Sequence, residues 1–318
     1  MSDCSSNDHE EYWEQGKKDQ EQNEGDPDQD EDNQDQDKEN EFPEYTREDY
    51  SEISEGFNSS TSDFFRHSSG GKGAAFTWRM GVESPSEPGT TILSFKIDPE
   101  EEAGAGMGPE IVSRDLTFYG TYAARLKVPD PREIQPNVGA VVGYFTYRVD
   151  DIHGQSEIDY EWLIADPEVI YMGTWTGPRD GTQRIGRTVN LAKGIIYDTS
   201  FRERDGSNRR DLEGEQNQPE SINPIESFDA SAQFHTYGFD WHPNHIRWWM
   251  IHPATSDTIV LWNYRGSDIG IPRTNSRYRM NLWHTNNWPV QTNPNSIEKP
   301  THPFELEVDW MLYIPLNL

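Results

Sequence analysis

Between positions 155 and 164 the chain reads Gln-Ser-Glu-Ile-Asp-Tyr-Glu-Trp-Leu-Ile. Three acids, Glu157, Asp159 and Glu161, alternate there with Ile158, Tyr160 and Trp162. On an extended strand successive side chains point to opposite faces, so the acids share one face and the apolar residues the other. Like charges crowded on a strand disfavour folding, but chemistry gives a reason to keep them. Cleaving an acetal takes one carboxylate to attack or stabilise the anomeric carbon and a second, protonated, to donate to the leaving oxygen. An acid between them can raise its neighbours' pKa and hold one by a hydrogen bond. Residues i and i+4 of a strand lie about 13 Å apart at Cα. The outer pair must therefore lean together to reach the roughly 5–5.5 Å carboxyl separation of a double-displacement site. Two long glutamates suit that reach.

The same spacing recurs at Asp28, Asp30, Asp32 and at Glu305, Glu307, Asp309. The first triplet lies in a segment with no strand pattern. The second does have one, with Leu306 and Val308 between its acids. Spacing alone does not choose between the triplets at 157–161 and 305–309.

The elements that would carry these acids are strands. Short apolar or alternating runs at 75–78, 91–95, 119–128, 138–147, 157–164, 236–241, 246–251, 258–262, 278–283 and 304–314 are separated by Gly, Pro and Asn clusters. No segment sustains a helical period, and no internal repeat is visible. The pattern predicts an all-β fold, one sandwich or jelly roll, over 61–318. Residues 201–230 are polar and read as a long surface loop.

The first 60 residues differ in kind. They hold 22 Asp and Glu against 4 Lys and Arg, while the remaining 258 carry a net −12 of the chain's −30. Such a segment buries too little apolar surface to offset its ordering entropy, so 1–60 is expected to be a disordered acidic N-terminal tail. An acidic head on a mildly acidic body disfavours nucleic acid and anionic membranes as partners. No stretch nears 18 consecutive apolar residues, and the N-terminus as written lacks the basic and apolar regions of a secretory leader. The compartment is left unassigned. The only cysteine, Cys4, lies in the head, so the body must stand without an internal disulfide. His242-Pro243-Asn244-His245 reads as a hairpin turn, and the glycines at 104–108 lack the Lys-Ser/Thr of a phosphate loop.

Beyond the triplet, several blocks occur in a meaningful order. Glu157-Ile158-Asp159-Tyr160-Glu161 resembles the E-x-D-x-E signature of glycoside hydrolase family 16. Tyr119 to Lys127 resembles that family's YG-x-[YF]-E-x-R-x-K strand, and Phe145-Thr146-Tyr147 the end of the strand before the signature. Phe234 to Trp241 with Ile246 to Trp249, then Met280-Asn281-Leu282-Trp283, then Val308 to Tyr313, resemble its later landmarks. The resemblance spans about 75–314. It implies a concanavalin A-like β-jelly-roll with Glu157 as nucleophile, Asp159 as helper and Glu161 as general acid/base. It also implies a substrate cleft with Phe145, Tyr147, Trp283 and Trp288 as aromatic walls and Asn281 binding a sugar hydroxyl. No cofactor is expected for catalysis. Asp309 matches a position that binds a structural calcium in many relatives.

The implied activity is hydrolysis of internal β-1,3 or mixed β-1,3-1,4 glucan bonds, by a monomer acting on β-glucan. A cell-wall glucan transglycosylase and a non-hydrolytic glucan-binding lectin are the alternatives. Three positions depart from the family's pattern: Gln155 stands where lichenases have Trp, Ser156 where many relatives have Asp, and Ala123 where Glu is usual.

Overall fold

The structure is a computed structural model that describes residues 44–68, 76–98, 108–134, 138–178, 181–265 and 269–317. In chain order its strands are β1 (Ile53–Glu55), β2 (Phe65–His67), β3 (Phe76–Glu83), β4 (Thr91–Ile97), β5 (Glu110–Ser113), β6 (Gly120–Lys127) and β7 (Ala140–Asp150). There follow β8 (Gly154–Leu163), β9 (Val169–Gly177), β10 (Gln183–Asn190), β11 (Ile195–Glu203), β12 (Arg210–Asp211) and β13 (His235–His242). The last are β14 (His245–Ile251), β15 (Thr258–Arg265), β16 (Arg277–His284) and β17 (Phe304–Pro315). The only α-helix among the described residues is a single turn, Pro131–Ile134.

The strands form two antiparallel sheets. One runs β15-β14-β13-β6-β17-β4-β3, with β1 added beside β17; the other runs β12-β11-β10-β9-β8-β7-β16-β5-β2. Neighbours in space are often far apart in sequence, β6 lying between β13 and β17 and β16 between β7 and β5. This is the jelly-roll sandwich expected from the sequence. No helix of the described residues is long and apolar enough to cross a membrane.

The core lies between the sheets and is dominated by aromatics. Tyr144, Tyr160, Trp162 and Tyr278 from the second sheet meet Tyr122, Tyr237, Phe239, Trp241 and Trp248 from the first, all fully buried. A large side chain so buried contributes about 1.5–3 kcal/mol. Rings of this size also carry polar atoms that bond across the sandwich. The Trp248 indole donates to the backbone oxygen of Asp159 at 3.0 Å, and the Tyr278 hydroxyl donates to that of Ala123 at 3.0 Å. Tyr160 stacks on Trp162 at 5.2 Å, and Trp162 meets Tyr237 edge-on at 4.7 Å. The apolar face of β8 is thereby clamped to the opposite sheet.

Three expectations are corrected. Residues 44–60 are part of the sandwich, since Ile53 pairs with Tyr313 and Tyr50, Ile53 and Phe57 are buried in the core. These few apolar residues sit among Glu44, Glu48, Asp49, Glu52 and Glu55, which hid them in the composition. The rest of the expected tail, 1–43, lies outside the described residues. The span 201–230 is no free surface loop: β11 runs to Glu203, and Leu212, Ile222, Ile225, Phe228 and Ala230 are buried. Finally, β1, β2, β5 and β9 to β12 escaped the sequence reading.

Candidate active site

All ten residues of β8 are buried, yet they face two ways. Ile158, Tyr160 and Trp162 enter the main core, while Leu163 belongs to a second, small apolar cluster with Val141, Val169, Trp283 and Val290. Glu157, Asp159 and Glu161 alternate with the core residues and so lie on the face of Leu163, the outer face of their sheet. Their exposures are 3%, 2% and 6%, low for three acids on an outer face. The walls of a trough must shield them.

Pairing registers identify those walls, because directly opposite residues share a face. Glu157 stands between Tyr147 of β7 and Trp175 of β9. Asp159 stands between Phe145 and Gly173, and Glu161 between Gly143 and Tyr171. One strand further, Arg279 lies opposite Phe145 and Asn281 opposite Gly143. On the other flank Arg184 lies opposite Trp175 and Gly186 opposite Gly173. Each carboxylate thus sits between residues whose side chains are either large and planar or absent.

The glycines make room for specific neighbours. A Cβ at Gly173 would come within 2.2 Å of the Tyr171 hydroxyl, and one at Gly186 within 3.0 Å of the Tyr171 ring. A Cβ at Gly143 would lie 2.5 Å from Asn281 Oδ1. The Tyr171 ring therefore lies along the floor beside Asp159. Burial pushes its hydroxyl up to about 12, Arg184 opposes that, and the nearby charges of Asp159 and Glu161 add to it. Tyr171 is a neutral hydrogen-bonding group throughout the ordinary pH range. Arg184 Nε donates to its hydroxyl at 2.8 Å.

Three guanidinium groups lie over aromatic rings of this face: Arg184 over Tyr171 at 5.0 Å, Arg202 over Trp175 at 5.1 Å and Arg279 over Tyr147 at 5.2 Å. Such contacts help to fix the rings in place. Arg279 is itself held by Glu110 at 2.9 Å, and Glu110 also accepts from Asn281 Nδ2 at 3.4 Å. On β8, the Gln155 amide donates to Glu157 Oε2. Ser156 points the other way, its hydroxyl donating to the Thr274 carbonyl at 2.9 Å.

Every residue expected to act on substrate lies at this face. Phe145 and Tyr147 are half-buried beside the acids, and Asn281 sits two strands from Glu161. Trp283 is on the same face but only 6% exposed, packed into the small cluster that closes one side of the trough. Trp288 leans over from the segment after β16 and meets Tyr171 edge-on at 5.3 Å. From the same segment Gln291 Nε2 reaches Thr188 Oγ1 at 3.4 Å, so this connection spans the β7 to β10 side of the trough. Sequence reasoning missed Tyr171, Trp175, Arg184, Arg202, Arg279 and Glu110. The run Val169-Ile170-Tyr171-Met172 followed by Thr174-Trp175-Thr176 was the available signal for the strand that carries the first two.

Asp309 is different. Its carboxylate is bound by Arg125 Nη1 at 2.5 Å, and Arg125 also pairs with Glu87 at 2.9 Å. No group of three His, Cys, Asp or Glu that could hold a metal occurs among the described residues. A cation at Asp309 would meet a guanidinium already in place, so the residues here do not fit a calcium site. The structural calcium expected at Asp309 finds no support in this geometry.

A two-sheet jelly roll with three carboxylates in a row on one outer face, between rings and glycines, has the side chains that glycoside hydrolysis by two carboxylates needs. Comparison with known proteins agrees. The profile of the glycosyl hydrolases family 16 matches residues 212–311. A β-glucanase of Paenibacillus polymyxa is 27% identical over 266 residues, covering 81% of this chain and 84% of that protein. Among solved structures, a β-1,3-1,4-glucanase (lichenase) from a mouse hindgut metagenome superposes with a TM-score of 0.50 at 21% identity, over 84% of this chain and all of that one. An apo transglycosylase also gives 0.50, at 16% identity, over 84% of this chain and 85% of its own. These superpositions establish the shared fold. The chain is thus similar to glycoside hydrolase family 16, by its profile over residues 212–311 and by the Paenibacillus polymyxa relative over most of its length.

Proposed function

We propose that the chain is a retaining endo-β-glucanase that hydrolyses internal β-1,3 or mixed β-1,3-1,4 glucosidic bonds. The observation that carries this reading is the row Glu157, Asp159, Glu161 on one face of β8, flanked at opposite positions by rings and glycines. In the first step the Glu157 carboxylate bonds to the anomeric carbon as the glycosidic bond breaks, and Glu161 gives its proton to the departing oxygen. In the second, Glu161 takes a proton from water, whose oxygen displaces Glu157 and regenerates both acids. Asp159 lies between them on the same face of β8. Tyr147 and Phe145, half-buried beside the acids, offer planar faces to pyranose rings, and Asn281 offers an amide to their hydroxyls. No metal or cofactor enters this scheme.

The β-glucanase relative supports a glucan substrate. Transfer to a sugar hydroxyl in place of water is the nearest rival, since the same glycosyl-enzyme serves both. Reducing-sugar release from lichenan, laminarin, xyloglucan and chitin oligomers tests the substrate. Turnover is expected on the first two, with Glu157→Gln reducing it by at least about 10³-fold. Release from chitin oligomers alone would refute the glucan assignment. Sizing the products of a single oligosaccharide separates the rivals, because products longer than the substrate mean transfer.

A further inference from the structure

Gln155 stands two residues before Glu157 on β8, so both side chains leave the strand on the same face. It is 5% exposed. Its amide nitrogen donates to Glu157 Oε2, and its amide oxygen accepts from Arg204 Nη1 at 3.5 Å. Directly opposite on the neighbouring strands are Val149 and Gly177, whose side chains offer no hydrogen bond. An amide can present either end, and only its partners decide which. Arg204 has donors alone, so the oxygen turns toward it and the NH₂ turns toward Glu157.

We propose that Gln155 is a positioning residue for the attacking carboxylate, pinned in its working orientation by Arg204. The argument rests on Glu157 being the nucleophile. The terminal torsion of a glutamate is broad, so a carboxylate with that freedom spends much of its time turned away from the reacting carbon. A donor on Oε2 fixes the plane of the group and hence the line of attack, which is where effective concentration is gained. Gln155 makes and breaks no bond. The new bond joins a Glu157 oxygen to the anomeric carbon, the electron pair of the old bond goes to the leaving oxygen, and Glu161 supplies its proton. Where lichenases have Trp, this chain thus has an amide that donates to the carboxylate and accepts from a guanidinium at once, which an indole, with its single donor, cannot do.

The test is the rate of covalent labelling by a 2-deoxy-2-fluoro glucosyl-type inactivator, read by intact mass and located by peptide mapping. Gln155→Met keeps the length and removes both hydrogen bonds. Its labelling rate and kcat are expected to fall together by about 10- to 100-fold, the span of a hydrogen bond to a charged group, with KM moving less than about threefold. Gln155→Glu keeps the shape, replaces the donor by an acid and should lose at least as much. Arg204→Met leaves the amide but frees it to turn, and should fall between. Melting temperatures confirm that each variant is folded; should Gln155→Met fail to fold, the Arg204→Met labelling rate decides. Wild-type labelling rates in the variants, or a raised KM at unchanged kcat, overturn the proposal while leaving the retaining mechanism standing. Absence of label on Glu157 in the wild-type protein overturns the mechanism and the proposal with it.

Discussion

Two strands of this molecule carry the same acidic pattern and put it to opposite uses. On β8, Glu157, Asp159 and Glu161 face rings and glycines at the opposite positions. On β17, Glu305, Glu307 and Asp309 face hydroxyls and cations. Glu305 accepts from Ser94; Glu307 accepts from Ser84 at 2.5 Å, from Ser86, and from Lys127 at 3.3 Å; Asp309 pairs with Arg125. A bulge between Val308 and Trp310 also breaks the alternation just where the third acid falls. Acids on β17 are cross-links between neighbouring strands of a sheet. Those on β8 stand between rings and glycines instead, with no cation of a neighbouring strand directly opposite them. The pattern within a strand is therefore silent about its use, and the neighbours decide.

The largest effect expected from this contrast is on turnover. Glu161→Gln should lower kcat on a glucan with a poor leaving group by about 10²- to 10⁴-fold, the range of a lost general acid, with the melting temperature nearly unchanged. Glu307→Gln should do the reverse, retaining kcat and losing about 1–3 kcal/mol of stability in urea titration. A stability loss from the first or an activity loss from the second would break the comparison.

Next in size is the floor of the trough. Gly173→Ala places a methyl against the Tyr171 hydroxyl and should displace that ring, raising KM severalfold. Kinetics on a soluble glucan reads this. Gly89, whose position has nothing within 4 Å of an added Cβ, serves as a distant control, although its positive φ makes Ala there mildly strained.

A smaller effect concerns pH. Burial holds the His235 and His284 rings below the usual histidine range, so folding favours their neutral forms. An unfolded chain takes up protons as pH falls through about 6.5, and the folded one does so only at lower pH. The stability held above pH 6.5 is thus lost progressively below it, and His284→Phe should flatten the fall seen in melts between pH 7 and 5. The smallest effect is at Asp309. Its ion pair is partly exposed, and Asp309→Asn should cost less than about 1 kcal/mol. Calcium or a chelator should leave the melting temperature where it was, and a clear upward shift with calcium would restore the metal role.

Legibility in the sequence followed the same contrast. β8, β7 and β13 to β17 were readable because their core faces are strongly apolar at alternate positions, as in Ile158, Tyr160, Trp162 and Tyr278, Met280, Leu282. β9 to β11 were not, and with them Tyr171, Trp175, Arg184 and Arg202. Gly173 and Gly186 look like turn residues in a sequence, yet here they are flat floor under Tyr171 and Arg184. The outer faces of these strands carry Arg, Thr and Ser because they border the trough, which blurs the alternation. Among the many acids of the first 60 residues, Tyr45, Tyr50 and Ile53 could not show that they reach across to Phe118 and β17, nor Phe57 that it meets Phe65. The three acids of β8 were legible as a pattern, but only the sheet shows how their neighbours differ from those of the β17 acids.

The central claim is that Glu157 attacks the anomeric carbon while Glu161 protonates the leaving oxygen, so two inversions follow one another. Proton NMR of the first products from a mixed-linkage glucan reads the configuration directly, before mutarotation. The account predicts that the β anomer appears first and the α anomer only later. An α anomer formed at once would mean a single displacement and would contradict it.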